Sequence, residues 1–582
     1  MADQKIENQL NLALQTPESE REKSLGLSIG YDAEDNIWEL IIRYYGSLDI
    51  VREELNIEIV ELLSNYAVLY IPENLIDRLV SYPQIEYIEK PKALYFATIQ
   101  GRTASCVNPV QYNITNGLFG AGVIIGVIDS GIDYAHQDFR NVDGTTRILS
   151  IWDQSINGEP PEGFVIGTEY SKEDIDRALR QTTTEGRIGV VPSMDNNGHG
   201  THVTSIAAGN GRGSGGRTLG VAPMSDIMVV KAGPVSERGF IKTTQIMMGL
   251  SYLIQKAIEY GRPIAINLSF GNNYGSHEGR ALLETFIDDI SGLWKNVIVV
   301  GTGNEGSAGK HTDGFVTDQP VTVEFAISAN ESNVNLQIWK SYADLMQIYI
   351  ISPSGIETVV LSNALTRQVI NFGTQTKVLI FYGEPAPYNR AQEIYFEFLP
   401  LLGTYIESGI WKIRLEPVDV INGEFDMWLP TSEAVGRETR FLNPTFETTL
   451  TIPSTASRAI SVGAYNSLLN SIADFSGRGF TRAENIVKPD IVAPGVNIVA
   501  AAPGGGYSTR SGTSMATPFV TGSSAILMEW GIVRGNDDYL YGEKIKAYLI
   551  AGARRNPQTV YPNINQGYGM LCLEESLRRA AI

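Results

Sequence analysis

The spacing of apolar residues changes character three times along the chain. Between Trp38 and Lys92, "WELIIRYYG", "IEIVELLSNYAVLYIP" and "QIEYIEKP" predict strands, and "PENLIDRLVSYP" predicts a short amphipathic helix. This is a compact α+β unit, preceded by a polar, helix-prone lead-in over residues 1–35. From Gly120 the apolar runs become continuous and rich in Val and Ile. "GVIIGVID", "DIMVVKAG", "PIAINLSFG" and "NVIVVGTG" predict parallel strands buried on both faces. Helical stretches separate them: "HVTSIAAG", "TTQIMMGLSYLIQKAIEYG" and "GRALLETFIDDISGLW". This alternation predicts an α/β fold with a doubly wound sheet. Ligands of such sheets sit beyond the carboxyl ends of the strands.

From about Asp313 to about Glu447 the period falls to two. "PVTVEFAISA", "VNLQIWKS", "QIYIISPSG", "TKVLIFYG", "EIYFEFLPL" and "GIWKIRLEP" predict an antiparallel β-sandwich. The α/β style then returns with "RAISVGAY", "KPDIVAPG", a long helix from Ser514 to about Trp530 and a last helix near "EKIKAYLIAGA". The sandwich is therefore an insertion, and its two ends must return close together. A second insertion, "RILSIWDQSINGEPPEGFVIGTEYSKEDIDRAL", lies between Asp129 and His199.

Three predicted strands carry polar side chains at their ends: Asp129 in "GVIIGVIDSG", Ser269-Phe270-Gly271 in "INLSFG", and Asn304 in "VIVVGTGNEG". All should gather on one edge of the sheet. Taken alone, Asp129 suits a turn or helix cap, and Asn304 a turn. Ser514, in "RSGTSMATPFVTG", stands at a helix start, where an N-cap serine is common. The stretch "NGHGTHV" places two of the five histidines three residues apart. A zinc site needs a third and usually a fourth ligand, and the chain has no His-Glu-x-x-His. Gly211 to Gly216 fit Gly-x-Gly-x-x-Gly but follow a helix and precede a strand. That is the wrong context for a dinucleotide site, so they read as a flexible loop.

The chain order Asp129, His199, Ser514 is that of one of the unrelated serine-hydrolase triads. With "VIDSGID", "NGHGTHV", "INLSFG", "GTGNEG", "SGTSMATP", "LGVAP" and "KPDIVAPG", the chain resembles the subtilase family over most of 120–312 and 448–582. The resemblance implies a subtilisin-like serine endopeptidase in which Asp129 orients His199, His199 is the general base and Ser514 the nucleophile. His202 is then a packed neighbour. Asn304 and the Ser514 backbone N–H would hold the oxyanion. Ser269, Phe270 and Gly271, with Thr302 and Gly303, would bind the substrate backbone and wall the pocket for the residue before the cut. Phe270 could equally be a core aromatic. The N-terminal unit resembles a subtilase propeptide, an intramolecular chaperone and inhibitor. It ends in "YFATIQ", which implies self-cleavage near Gln100–Gly101. The implied domains are 1–100 (propeptide), 101–312 and 448–582 (the two parts of the catalytic domain) and 313–447 (an inserted jelly roll). The whole chain is similar to the clostridial Csp germination proteases, which retain the cleaved propeptide and activate the precursor of a spore cortex-lytic enzyme. Some of those proteins lack triad residues and act as germinant sensors. A general intracellular subtilase is the other alternative. Calcium is common in the family, but no ligand set can be assigned, so no cofactor is expected.

Composition narrows the partners. The net charge of −20 disfavours nucleic acid and anionic membrane surfaces, and no apolar run is long enough to span a bilayer. The polar N-terminus does not have the form of a secretory signal, so synthesis in the cytoplasm is expected, with spore association if the germination resemblance holds. The expected partners are a protein substrate, such as a cortex-lytic enzyme precursor, and the chain's own propeptide. Two cysteines, Cys106 and Cys572, make no disulfide framework and suggest a reducing birthplace, with Cys572 a small packed hydrophobe.

Overall fold

A computed structural model describes all 582 residues except 1–3, 22–23, 34, 95–100, 112–116, 234–239, 362–366, 388, 484–485 and 582. The chain divides into two compact units. One comprises Met1–Ala93, Asn272–Leu282 and Glu305–Thr449, and the other Leu94–Gly271, Leu283–Asn304 and Leu450–Ile582.

The second unit is built on a nine-stranded sheet. Ile124–Asp129 lies in its middle, pairing in parallel with Ile264–Leu268 on one side and Asp226–Lys231 on the other. Asn296–Gly301 and Ile460–Asn466 extend the parallel array beyond Ile264–Leu268, and Ile148–Asp153 extends it beyond Asp226–Lys231. The register sets Val127 beside both Val229 and Asn267. Ile124–Asp129 and Ile264–Leu268 are buried at every position, as continuous apolar runs covered on both faces should be. The second insertion is in part the sheet itself: Ile148–Asp153 is one of the parallel strands, and Thr168–Ser171 pairs antiparallel with it at the edge. "RILSIWDQ" is flanked by polar sequence on both sides, which hides a buried strand from a reading by style.

Cys106 and Cys572 also depart from expectation, because they form a disulfide. The Leu573 N–H donates to Ser105 O at 3.0 Å, so the two segments run side by side. A separation of 466 residues conceals such a pairing from a linear reading.

The first unit holds two antiparallel assemblies. In the N-terminal one, Ile37–Tyr44 pairs with Tyr66–Pro72 and Ile85–Glu89, under the helices Asp49–Leu55 and Ile76–Val80. The other consists of a six-stranded and a five-stranded sheet built from residues 311–441. Their facing sides share one apolar core, with Trp411 5.1 Å from both Phe372 and Phe398.

Ala391–Pro400 is shared between the two assemblies of this unit, and every residue in it is buried. Ile394, Phe396 and Phe398 face the core between the sheets. Tyr395 and Leu399 face the other way and join Leu379 and Phe381 in the core of the N-terminal assembly. The helix Asn8–Leu14 contributes Leu10, Leu12 and Ala13 to that core. The stretch expected as a polar lead-in is therefore packed. Two of its polar residues are buried with partners: Gln9 Nε2 donates to Tyr395 Oη at 2.9 Å, and Asn11 Nδ2 donates to Ile6 O at 2.8 Å. Among the described residues no helix is long and apolar enough to cross a membrane.

The outward face of Ala391–Pro400 also buries two carboxyls. Glu393 accepts from Asn8 Nδ2 at 3.1 Å, and Glu397 accepts from Tyr395 Oη at 2.7 Å and from Ser24 Oγ. Burial, reinforced by the nearby Glu7, pushes Glu393 from 4.5 up to about 7. A carboxyl raised in the folded state stabilises fully below its ordinary value, and that contribution is lost as the pH climbs through the raised value. Glu393 should thus make this unit less resistant to urea at pH 8 than at pH 5. Glu393→Gln, measured by urea unfolding at both pH values, should shrink the difference by removing the titration between about 4.5 and 7.

Candidate active site

The strand Ile124–Asp129 delivers its last residue to the carboxyl edge of the sheet. Asp129 is fully buried there. Its Oδ1 accepts the Ser130 N–H at 2.8 Å and lies 2.7 Å from His199 Nδ1. His199 is the first residue of the helix His199–Ala208 and is 1 % exposed. A carboxylate on Nδ1 holds the imidazole proton on that nitrogen and makes Nε2 the acceptor, the tautomer a general base needs.

A second carboxylate fixes this junction. Asp195 Oδ1 accepts from Ser130 Oγ at 2.7 Å and from Gly198 N at 2.8 Å. Its Oδ2 accepts from Thr201 N at 2.8 Å and Thr201 Oγ1 at 2.6 Å. Ser130 Oγ in turn accepts from Gly200 N at 2.9 Å. The side chains of Asp195 and Ser130 thereby satisfy backbone donors at the start of the helix, which have no intrahelical partner. Glycine is required at two points. Gly198 has φ +76°, and a Cβ on Gly200 would lie 2.1 Å from Gly131 O. At the other end of the helix, buried Arg147 donates to Ala208 O at 2.8 Å.

His202 sits one turn further along. Its Nε2 lies 3.0 Å from Ser508 O, and burial pushes its pKa down to about 3. The ring stays neutral at physiological pH and donates to that carbonyl. Among the described residues, no group of three or more His, Cys, Asp and Glu side chains is placed to hold a metal ion.

Ser514 is the second residue of the helix Thr513–Met528 and is 3 % exposed. Its Oγ donates to Ser269 O at 3.2 Å, and Ser269 Oγ donates to Ser514 O at 3.1 Å. The end of the strand Ile264–Leu268 is thus locked to the helix start. Asn304 reaches the same helix start, where its Oδ1 accepts the Thr513 N–H at 3.2 Å. That contact turns the two amide protons of Asn304 the other way, available to an external oxygen. The Gly303 N–H donates to Thr513 Oγ1 at 3.1 Å, and Thr302 N donates to Val462 O at 3.1 Å. Phe270 is 4 % exposed. Gly101 has φ +144°, and Gln100, the residue before the expected cut, lies outside the described residues.

Sequence reasoning missed three residues. Asp195 and Ser130 flank the motifs, and only their shared hydrogen bonds reveal a role; an acid just before a histidine-led helix was the available signal. The third is Thr451. A Cβ on Gly271 would lie 2.1 Å from Thr451 Oγ1, and one on Gly303 would lie 2.4 Å from Thr451 Cγ2. One threonine therefore fills the space beside both glycines. It lies at the chain's return from the 311–441 sheets, in a stretch with no motif.

A parallel α/β sheet with a buried carboxylate–imidazole pair at a strand end, and a serine at the N-terminus of a neighbouring helix, is the framework of a serine hydrolase. Comparison with known proteins sets the class more narrowly. The subtilase family model matches residues 120–365 and 437–570, and the model of the Csp protease B prodomain matches residues 4–92. The chain belongs to the subtilase family. The solved structure of the Clostridium perfringens CspB protease is similar to it, with 38% identity and a TM-score of 0.74, covering 82% of this chain and 96% of that one. The subtilisin-like protease SBT3.16 of Arabidopsis thaliana is 25% identical over 436 residues, 70% of this chain and 54% of its own. The minor extracellular protease Vpr of Bacillus subtilis is 24% identical over 481 residues, 78% and 51% of the two chains. The chain spans about half the length of these two curated relatives.

Asp195 receives four donors, and Asn in its place would turn an NH2 toward one pair of them. Asp195→Asn should lower kcat about 10- to 100-fold through a displaced His199, with a smaller change in KM, as misplacement of about 1 Å does elsewhere. Steady-state kinetics on a peptide substrate, with circular dichroism to verify folding, checks this.

Proposed function

We propose that this chain is a working serine endopeptidase with the triad Asp129, His199 and Ser514. The observation that carries the reading is the 2.7 Å contact between Asp129 and His199 Nδ1, at the same sheet edge as the Ser514 helix start. His199 Nε2 takes the Ser514 proton as Oγ attacks a peptide carbonyl, then returns it to the leaving amine. The Asn304 amide and the Ser514 backbone N–H receive the oxyanion, in part because helix N-termini offer unpaired donors. The proposed chemistry uses side-chain and backbone groups alone.

The segment Ser269-Phe270-Gly271 pairs with substrate backbone, and together with Thr302-Gly303 it walls the pocket for the residue before the cut. Thr451 occupies the space beside Gly271 and Gly303, so that pocket is short. Thr451→Gly should deepen it. The ratio of kcat/KM for peptides with Leu to those with Ala before the cut should rise about tenfold, within the range one or two methylenes command.

The chain cleaves itself near Gln100–Gly101, and the fragment stays bound. Two observations support retention: a model of a Csp protease prodomain matches residues 4–92, and the core of that region includes Leu379, Phe381, Tyr395 and Leu399 from beyond the cut. The two antiparallel sheets built from 311–441 form a jelly roll that braces the propeptide. The substrate we favour is the precursor of a spore cortex-lytic enzyme, cut during germination, and the similarity to the CspB protease supports this placement. Purified wild-type protein should separate into fragments of about a hundred and about 480 residues in denaturant, yet co-elute without it. Ser514→Ala should remain one chain. A fluorophosphonate probe should label wild type at Ser514; an unlabelled, unsplit wild type would favour a non-catalytic sensor on the same fold.

A further inference from the structure

The unit formed by Met1–Ala93, Asn272–Leu282 and Glu305–Thr449 contains a cavity of about 70 Å³ that the proteolytic reading does not use. It opens where the N-terminal residues Glu7 to Gln9 meet Trp339 and the strand Ala391–Pro400. One water needs roughly 10–15 Å³ on such a measure, and a dry cavity of about 150 Å³ takes up benzene. The space therefore suits an organic molecule somewhat smaller than benzene.

Its lining is polar and unevenly charged. Glu7, Glu89, Glu384 and Glu393 supply four carboxyls, against Lys92 and Arg280. Lys92 is already engaged: its Nζ contacts Glu7 and lies 3.4 Å from Glu89 Oε1. Glu393, 8 % exposed, is held by a neutral amide, that of Asn8. Burial and Glu7 push it upward, outweighing the pull of Lys92, which makes no ion pair with it among the described residues. Two of the lining residues, Gln9 and Trp339, each bury a polar atom without a partner among the described residues, Gln9 Oε1 and Trp339 Nε1. Gln9 is 3 % exposed, and its other polar end is committed to Tyr395. A buried acceptor left open in this way is destabilising unless something in the cavity donates to it. Arg280 is exposed and has no ion pair among the described residues.

We propose that this cavity is a binding site for a small primary ammonium compound, with a free α-amino acid of glycine or alanine size the best fit. The ammonium donates to Glu393 and Gln9 Oε1. A carboxylate on the same molecule accepts from the Trp339 indole N–H and pairs with Arg280. Such a ligand bridges the N-terminal segment and the strand Ala391–Pro400, so it stabilises this unit. The inference rests on the unit alone and stands whether or not the chain is a protease.

Thermal unfolding and isothermal calorimetry of the full chain with glycine, ethylamine and sodium acetate at equal ionic strength test it. Glycine and ethylamine should both bind and raise the unfolding midpoint, by an amount that grows with the logarithm of concentration, and acetate should not. Glu393→Gln should weaken both amines at least tenfold. Arg280→Ala, an exposed change, should weaken glycine about tenfold and leave ethylamine within twofold. If glycine and ethylamine act no differently from acetate, the site is not an ammonium site. Unchanged affinity in Glu393→Gln overturns the proposal equally, and unchanged glycine affinity in Arg280→Ala overturns the amino-acid assignment.

Discussion

The candidate active site depends on one junction, where the end of a buried parallel strand meets the start of a helix and two carboxylates stand within it. Asp129 and Asp195 carry like charge, and two buried anions this close are costly unless each is paired. Asp129 is paired by the Ser130 N–H and the His199 ring, and Asp195 by backbone donors and hydroxyls. Asp195 alone takes two backbone N–H groups and two hydroxyls. Those donors come from the strand end and from the helix start, so satisfying the charge and placing His199 are the same act. Gly198 and Gly200 complete the arrangement, because a side chain at either would strain the turn or strike Gly131 O.

The other unit follows a different rule. An antiparallel strand usually buries one face and wets the other. Ala391–Pro400 buries both: its aliphatic and aromatic face closes the core between two sheets, and its opposite face receives the N-terminal assembly. The second burial includes Glu393 and Glu397, both raised toward neutrality. Polar groups so buried weaken an interface compared with apolar ones, but they also define which surfaces can meet. The cavity beside this strand belongs to the same contact, where Gln9 Oε1 stays without a partner among the described residues.

Sequence alone carried the chemistry of the catalytic region far. Val- and Ile-rich runs without alternation marked four of the parallel strands, and three of them end beside a side chain of the candidate site. Period-two patterning likewise marked the strands between residues 311 and 441. What it misjudged shares one cause. The lead-in over residues 1–35 looked polar, yet Gln9 and Asn11 are buried with partners. The strand Ile148–Asp153 reads as part of an insertion. Two cysteines so far apart give no sign of a disulfide, yet Cys106 and Cys572 are bonded.

The order of secondary elements, the identity of the Asp, His, Ser and Asn side chains, and the strand ends that bear them are properties of local pattern, because hydrophobic period and turn chemistry act over a few residues. Whether a polar residue is solvated or buried, which acids share donors, and where Thr451 stands are decided by partners hundreds of positions away. Only the folded chain brings those partners within hydrogen-bonding distance, and burial then sets the strength and the charge state of what they form.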